Sequence, residues 1–446
     1  MSLRSFTFFT FVSVTFLVES PRLISQSAST TPRVELSAAP RLRFTGDVDS
    51  NSPAVWQRVS GLNQLLVLTS VAGRPSLASG PQFDRLSVAL PVVVDPWPGE
   101  GVWMEAVVED VGGTLYGYYH NENSATVCPG SGKVIPRIGA ARSIDHGLTW
   151  TSLGIILEAP PGSFDCETND IYFVGGVGDF SVQLDPDSRD LYIFFSQYSR
   201  RSQGVGIARL AWADRDTPEG KVMVFAGGVW LPARAFTFPS GMLRVFYPSA
   251  VPVFPAKKPW NDDDTEVDAF WGPAVHWNVY LEQYVMLLNH AKDTNWKQDG
   301  IYVSFNPRLD NPTGWSAPVK ILSGGRWYPQ VMGIEAGAGT DKVAGRWARF
   351  FMGGTSEHLM GFIFALVQRG NPRRGILVEA ASRHADQGRI RTNLNEDAIP
   401  RGKRAADGVA EQHRCHHMAA PVVGARHLTG RQHTAGQIRH ESNTRR

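Results

Sequence analysis

An all-β chain folded as a β-propeller, with four antiparallel strands in each blade, is what this sequence predicts, and three observations predict it. Composition is the first: of 446 residues 44 are Gly and 29 are Pro, and aromatics reach 11%, which suits short strands and tight turns better than helices. Periodicity is the second, because few windows sustain a 3.6-residue apolar repeat whereas turn clusters recur every 8–12 residues. The third is the stretch 175–230. There Gly178-Asp-Phe-Ser-Val-Gln-Leu184 and Leu191-Tyr-Ile-Phe-Phe-Ser-Gln-Tyr198 flank the turn Asp185-Pro-Asp-Ser-Arg-Asp190. Gly204-Val-Gly-Ile-Ala-Arg-Leu-Ala-Trp212 and Lys221-Val-Met-Val-Phe225 follow. Four successive strands in about 50 residues have the size and order of one propeller blade.

The other blades follow in order. Residues 1–27 read as an export signal, with Arg4 before the uncharged apolar run 6–18 and small residues at Ser25-Gln-Ser27. Its 13 residues are too few to span a bilayer, so the expected location is secreted or periplasmic, free of the membrane after cleavage. The Ser, Thr and Pro content of 28–44 predicts a flexible leader. A propeller domain over 45–368 comes next, with five blades or, as the alternative, six. Blade 1 has its inner hairpin at 54–56 and 65–69, with outer strands expected near 86–89 and 92–94. Blade 2 takes 102–108, 114–120, 139–143 and 150–157, blade 3 is the stretch above, and blade 4 takes 272–278, 284–289, 300–304 and 315–322. Blade 5 has 328–333, 348–352 and an outer strand near 360–367. Between the outer strands of blade 2, Ser143-Ile-Asp-His-Gly-Leu-Thr-Trp150 resembles the Asp-box of sialidases and other propellers, a structural hairpin. It implies a positive φ at Gly147 and backbone amides bonded to Asp145.

Charge divides the chain in two. Residues 369–446 hold 15 Lys and Arg against 7 Asp and Glu, no Phe, Tyr or Trp, and 7 of the 12 His. Such a segment cannot build a core, so a disordered basic tail is expected, with out-of-frame translation as its sharper explanation. The remaining 368 residues hold 29 basic against 35 acidic groups. A mildly acidic propeller is no expected partner for nucleic acid, which needs a basic face. A monomer is expected. Neither a CxxC nor an HExxH pattern occurs, and the acidic run Asn261-Asp-Asp-Asp264 lacks the glycine and glutamate of an EF-hand loop. No cofactor and no metal are expected. Cys128 and Cys166 sit in loops leading into neighbouring blades, where a disulfide and two separate thiols are equally open.

Inner strands of a propeller line its axis, so equivalent positions converge there from distant parts of the chain. The polar residues at those points are Asp49 with Asn51, Glu105, Asp179, His276 with Asn278, and Tyr328. Asp49, Glu105 and Asp179 are three carboxylates from three successive blades, able to divide the work of base or nucleophile, acid and pKa tuning. Trp103, His120 and Glu122 stand near them as substrate contacts, and Trp56, Trp271, Trp277 and Trp327 could stack on sugar rings. Each has a plainer reading: turn caps for the aspartates, a packed ring for His276, core for the tryptophans. Glu105 resists it, because an unpaired carboxylate in an apolar strand is costly.

On these residues the chain resembles the five-bladed propeller glycoside hydrolases, the group of arabinanases, β-xylosidases, invertases and levansucrases. The resemblance implies a carbohydrate substrate and three acids from the first three blades, with Asp49 in Asp-Ser-Asn-Ser-Pro53 as base or nucleophile. The chain carries Glu then Asp in blades 2 and 3 where those enzymes carry Asp then Glu. The general acid therefore stays open among Glu105, Glu122 and Asp179. A sialidase-like hydrolase using Arg137, Arg142 and Arg326, and a glycan-binding propeller without catalysis, are the alternatives.

Overall fold

The computed structural model describes residues 30–124, 128–199, 201–237, 239–240, 243–260 and 265–366. The expected export signal, the acidic run 261–264 and the basic tail lie outside them. The first described strand, β1 (Thr30–Arg43), occupies most of the expected flexible leader and corrects it. Its alternation of half-buried and exposed residues over 32–37 is that of a strand with one face on a core.

Blade 1 is β2 (Ala54–Val59), β3 (Leu62–Val71), β4 (Arg74–Gly80) and the short β5 (Leu90–Pro91). Its third strand is thus 74–80, which carries Pro75 and Gly80, and not 86–89. The expected strand at 92–94 is displaced as well: β6 (Val93–Asp95) pairs in parallel with the outer strand of blade 2. Blade 2 comprises β7 (Gly101–Glu109), β8 (Leu115–Ser124), β9 (Val134–Ser143) and β10 (Thr149–Leu157). Blade 3 comprises β11 (Val177–Leu184), β12 (Asp190–Ser199), β13 (Ser202–Ala211) and β14 (Met223–Phe225), extended by β15 (Trp230–Pro232). A hairpin of β16 (Arg234–Thr237) and β17 (Leu243–Phe246) pairs only with itself, and β18 (Phe254–Pro255) returns to β13. Blade 4 comprises β19 (Glu266–Asn278), β20 (Gln283–Asp293), β21 (Gln298–Asn306) and β22 (Val319–Ser323). Blade 5 takes β23 (Pro329–Gly333), then, after β24 (Val343–Ala344) pairs with β19, β25 (Trp347–Met352) and β26 (Thr355–Leu366). Its fourth strand is β1, antiparallel to β26 from Thr30↔Leu366 to Arg43↔Thr355. The two ends of the propeller are thereby joined in one sheet.

Five apolar layers, one between each pair of neighbouring blades, settle the count at five. Leu68 with Met104 and Trp150 joins blades 1 and 2, and Tyr118 with Ile138 and Phe180 joins 2 and 3. Phe194 with Ile207 and Met286 joins 3 and 4, Val285 with Ile301 and Phe350 joins 4 and 5, and Val67 with Phe351 closes the ring. Truncating any one of the aromatic members to Ala costs about 3–5 kcal/mol. The hairpin at 143–150 is bonded internally: Asp145 accepts from the Thr149 amide at 3.0 Å, Ser143 Oγ accepts from the Gly147 amide at 2.9 Å, and Gly147 has φ +83°.

Candidate active site

The inner strands β2, β7, β11, β19 and β23 meet around the axis, and polar side chains staple them. Asn51 Nδ2 donates to the Phe180 carbonyl at 3.0 Å, and Gln330 and Ser52 exchange side-chain and backbone bonds of 2.5 and 2.9 Å. Asp49 lies in the turn before β2. Its amide donates to the Ser70 carbonyl at 3.2 Å and its Oδ2 accepts from the Ala72 amide at 3.1 Å. Glu105 and Asp179 each sit at a bulge, where the register slips between Met104 and Ala106 on β7 and between Gly178 and Phe180 on β11. A bulge breaks the alternation of the strand and re-aims one side chain. At Asp179 it takes φ to +42°, a conformation unfavourable for a residue with a Cβ.

Glu105 and Asp179 are 1% and 3% exposed, and with His120 they offer ligand atoms within 4.8 Å of one another. Glu105 Oε2 accepts the Asn51 amide at 3.2 Å, which ties it to the loop that carries Asp49. Asp179 holds two phenols: Tyr198 donates to Oδ2 at 2.5 Å and Tyr328 to Oδ1 at 3.2 Å. The Asp179 amide donates to His120 Nδ1 at 3.1 Å, and His120 Nε2 faces Glu122 Oε1 at 3.4 Å. Gly178 makes this approach possible, because a Cβ there would stand 2.6 Å from the His120 ring.

No Lys or Arg among the described residues pairs with Asp49, Glu105 or Asp179, so burial dominates their titration. Burial pushes the Asp49 carboxyl up to about 6, against the pull of the Trp103 indole and the Ala72 amide. Burial and then the Asp179 charge raise Glu105 well above the usual carboxylate range, and burial raises Asp179 too. For His120 two influences oppose each other. Burial would depress it, but Glu122, Asp179 and Glu105 push it to about 9. The bond from the Asp179 amide uses the Nδ1 lone pair that only the neutral ring has, whereas the surrounding carboxylates favour the charged ring. Charging the ring breaks that bond. Glu105, His120 and Asp179 are also the described cluster close enough to hold a cation. Their lone pairs are largely committed, to the Asn51 and Asp179 amides and to two phenols, which fits a hydrogen-bonded network better than a metal centre.

The structure therefore brings together Asp49, Asn51, Glu105, His120, Glu122, Asp179 and Tyr328, with Trp103 edge-on to His120 at 5.3 Å between ring centroids. It does not bring His276 or Asn278. His276 packs edge-on against Phe362 between blades 4 and 5, where burial lowers its pKa to about 3. Asn278 caps a turn, accepting from the Tyr280 and Leu281 amides at 3.1 and 2.9 Å. Both lie beyond the Trp271–Ala274 bulge of β19, on the far stretch of that strand. Trp56 bonds the Gly339 carbonyl and Trp277 packs on Tyr284, so neither reaches the acids. Cys128 and Cys166 form a disulfide with Cα atoms 5.5 Å apart.

Tyr198 and Asp170 went unnoticed in the sequence. Tyr198 is the penultimate residue of the second strand of blade 3, at the level of Gly176, whose carbonyl accepts its amide at 3.0 Å. That level is readable only once the register is known. Asp170 is buried and gathers the Tyr172 and Phe173 amides and the Trp296 indole at 2.8, 3.2 and 2.9 Å. It thereby sets the aromatic wall in which Phe173 stacks on Tyr198 at 4.8 Å and half-buried Tyr172 meets Trp327 edge-on at 6.2 Å.

No family model and no curated protein matches the chain. Solved structures similar to it include a thermostable family-43 glycoside hydrolase, at 11% identity over 77% of this chain and 96% of that one, with a TM-score of 0.39. Another is a putative exo-beta-1,3-galactanase from Bifidobacterium bifidum s17, at 15% identity over 74% and 92%, TM-score 0.39. A third is an endo-arabinase from Bacteroides thetaiotaomicron VPI-5482, at 13% identity over 72% and 96%, TM-score 0.41.

Proposed function

We propose that this chain is an exported glycoside hydrolase that cleaves carbohydrate with Asp49 as base or nucleophile, Glu105 as general acid and Asp179 as the neighbouring charge. One observation carries the reading. Three carboxylates from the first three blades gather at one end of the axis with His120 beside them but no Lys or Arg among the described residues to pair with them, a costly arrangement in a structural core. Glu105 suits the acid because burial and the Asp179 charge favour its protonated form, and because the Asn51 amide on Oε2 leaves Oε1 to carry the proton. Asp179 is less suited, since both of its oxygens already accept phenols. Asp49 is the least buried of the three, and with its carboxyl at about 6 it is available as carboxylate near neutrality. Half-buried Trp103, Tyr172 and Trp327 provide ring faces for sugar C–H surfaces. Export is supported by the disulfide, which persists in oxidising compartments.

The alternatives have less support. Arg142 pairs with Asp216 at 3.1 Å on an outer strand, Arg137 bonds Asn121, and Arg326 is exposed, so the three arginines of a sialidase-like site do not converge. A purely glycan-binding propeller has no need of two buried carboxylates within 4.8 Å. The test is release of reducing sugar from a panel of arabinan, xylan, galactan and fructan. The wild type should hydrolyse at least one, and Asp49→Asn and Glu105→Gln should each lower turnover by about 10²-fold or more. Full activity in both variants would remove the assignment.

A further inference from the structure

A cavity of about 450 Å³, lined by none of the axial acids, lies against blade 2. On one side stand Asn123 of β8, Arg137 of β9, Ile155 of β10 and Glu158 just beyond it. On the other stand Glu219 and the end of β17, Arg244 to Phe246, with Tyr247. The hairpin of β16 and β17 belongs to no blade and pairs only with itself, so ring closure does not account for it. What it does is complete this cavity.

The lining is chemically mixed and electrically balanced. Two carboxylates, Glu158 and Glu219, face two guanidinium groups, Arg137 and Arg244. Arg137 is anchored by the Asn121 side chain and the Pro98 carbonyl at 2.8 and 3.3 Å, which fixes its plane. Half-buried Glu158 has no hydrogen-bond partner among the described residues, although burial raises its carboxyl and only the more distant fields of Arg137 and Arg244 offset this. Tyr247 accepts the Gly220 amide at 3.0 Å and keeps its own hydrogen to give. Between these polar groups lie the half-buried rings of Phe164 and Phe246. A balanced set of acceptors and donors favours no net charge in a ligand, and the volume is within the ~300–1,000 Å³ of small-molecule sites. It has room for on the order of fifteen waters, more than one free amino acid fills. Hydroxyls for the acids and arginines, with C–H faces for the two rings, describe a saccharide.

We infer that this cavity is a second carbohydrate site, which holds a neutral oligosaccharide without cleaving it through Glu158, Arg244, Phe164 and Phe246. Nothing in this inference requires the axial acids to be catalytic. Calorimetric titration of the full-length Asp49→Asn chain with arabinohexaose, xylohexaose and cellohexaose tests it. Binding of at least one hexasaccharide is expected, with a component that Glu158→Gln and Arg244→Ala each weaken at least tenfold at unchanged thermal midpoint. Glu158→Gln, which keeps the size of the side chain, should leave hydrolysis of a small chromogenic glycoside by the otherwise wild-type chain unaltered. Absence of binding to all three sugars overturns the inference. So does binding that neither substitution weakens, or a cavity that takes free glutamate or arginine in their place. Failure of the axial reading shows separately, as unchanged sugar release in Asp49→Asn.

Discussion

Asp179 is held by more constraints than any other side chain at the axis. Its φ of +42°, two phenol donors on its carboxylate and its amide on His120 leave it one position. Asp49 is different: a half-buried carboxylate whose Oδ1 has no hydrogen-bond partner. Its raised pKa has a thermodynamic sign. Between about 4 and 6 the folded state binds more protons than the unfolded one, so this group's contribution to stability falls as pH rises through that window. Asp49→Asn removes the ionised form. The thermal midpoint should therefore rise by a few degrees at pH 7 and by much less near pH 4, where the folded wild-type group is neutral and the unfolded one only about half ionised. An equal shift at both pH values would mean that the side chain acts through packing. In the sequence, Glu105 stood out because an unpaired acid in an apolar strand is expensive, whereas Asp49 and Asp179 were picked out by their places at the starts of inner strands. His276 looked equally placed, and only the Trp271–Ala274 bulge, which no residue pattern announces, puts it in the layer between blades 4 and 5.

At the scale of elements, alternation and turn chemistry made most strands readable, and the hairpin at 143–150 folds with the Gly147 φ and the Asp145 bonds its motif implies. The failures have physical causes. β4 carries Pro75 and Gly80, both depleted from strands, and β1 has Pro32 and Pro40 with few large apolar residues because it is an outermost strand needing only one covered face. Its partner is more than 300 residues away in sequence, so no local signal reports it. The disulfide closes a loop of sequence separation 38, worth about 4 kcal/mol in the chain-entropy picture, and it ties the loop after β8 to the approach to β11. For β1 the test is paired truncation. Deleting residues 1–29 should leave the thermal midpoint in place. Deleting 1–43 should lower it by more than about 10 °C and promote aggregation, because blade 5 loses its closing strand and β26 becomes an open edge. Equal midpoints for the two truncations would show that β1 contributes nothing to closure.

At the scale of the whole molecule, the ring is complete before the chain ends. β26 runs to Leu366 and already has β25 on one side and β1 on the other, so both of its edges are paired. The five interblade layers draw all their members from residues 34–364. Residues 369–446, with 15 basic against 7 acidic groups, have no Phe, Tyr or Trp, the aromatic side chains that each of those layers contains. Its charge is opposite in sign to that of the first 368 residues, which would allow only a screened, salt-sensitive attraction between the two. Truncation after Gln368 should therefore leave the thermal midpoint within about 2 °C at 0.15 M salt, and sugar release unchanged. A larger fall that disappears at 1 M salt would reveal an electrostatic role for the tail, and one that persists would mean that it packs on the propeller.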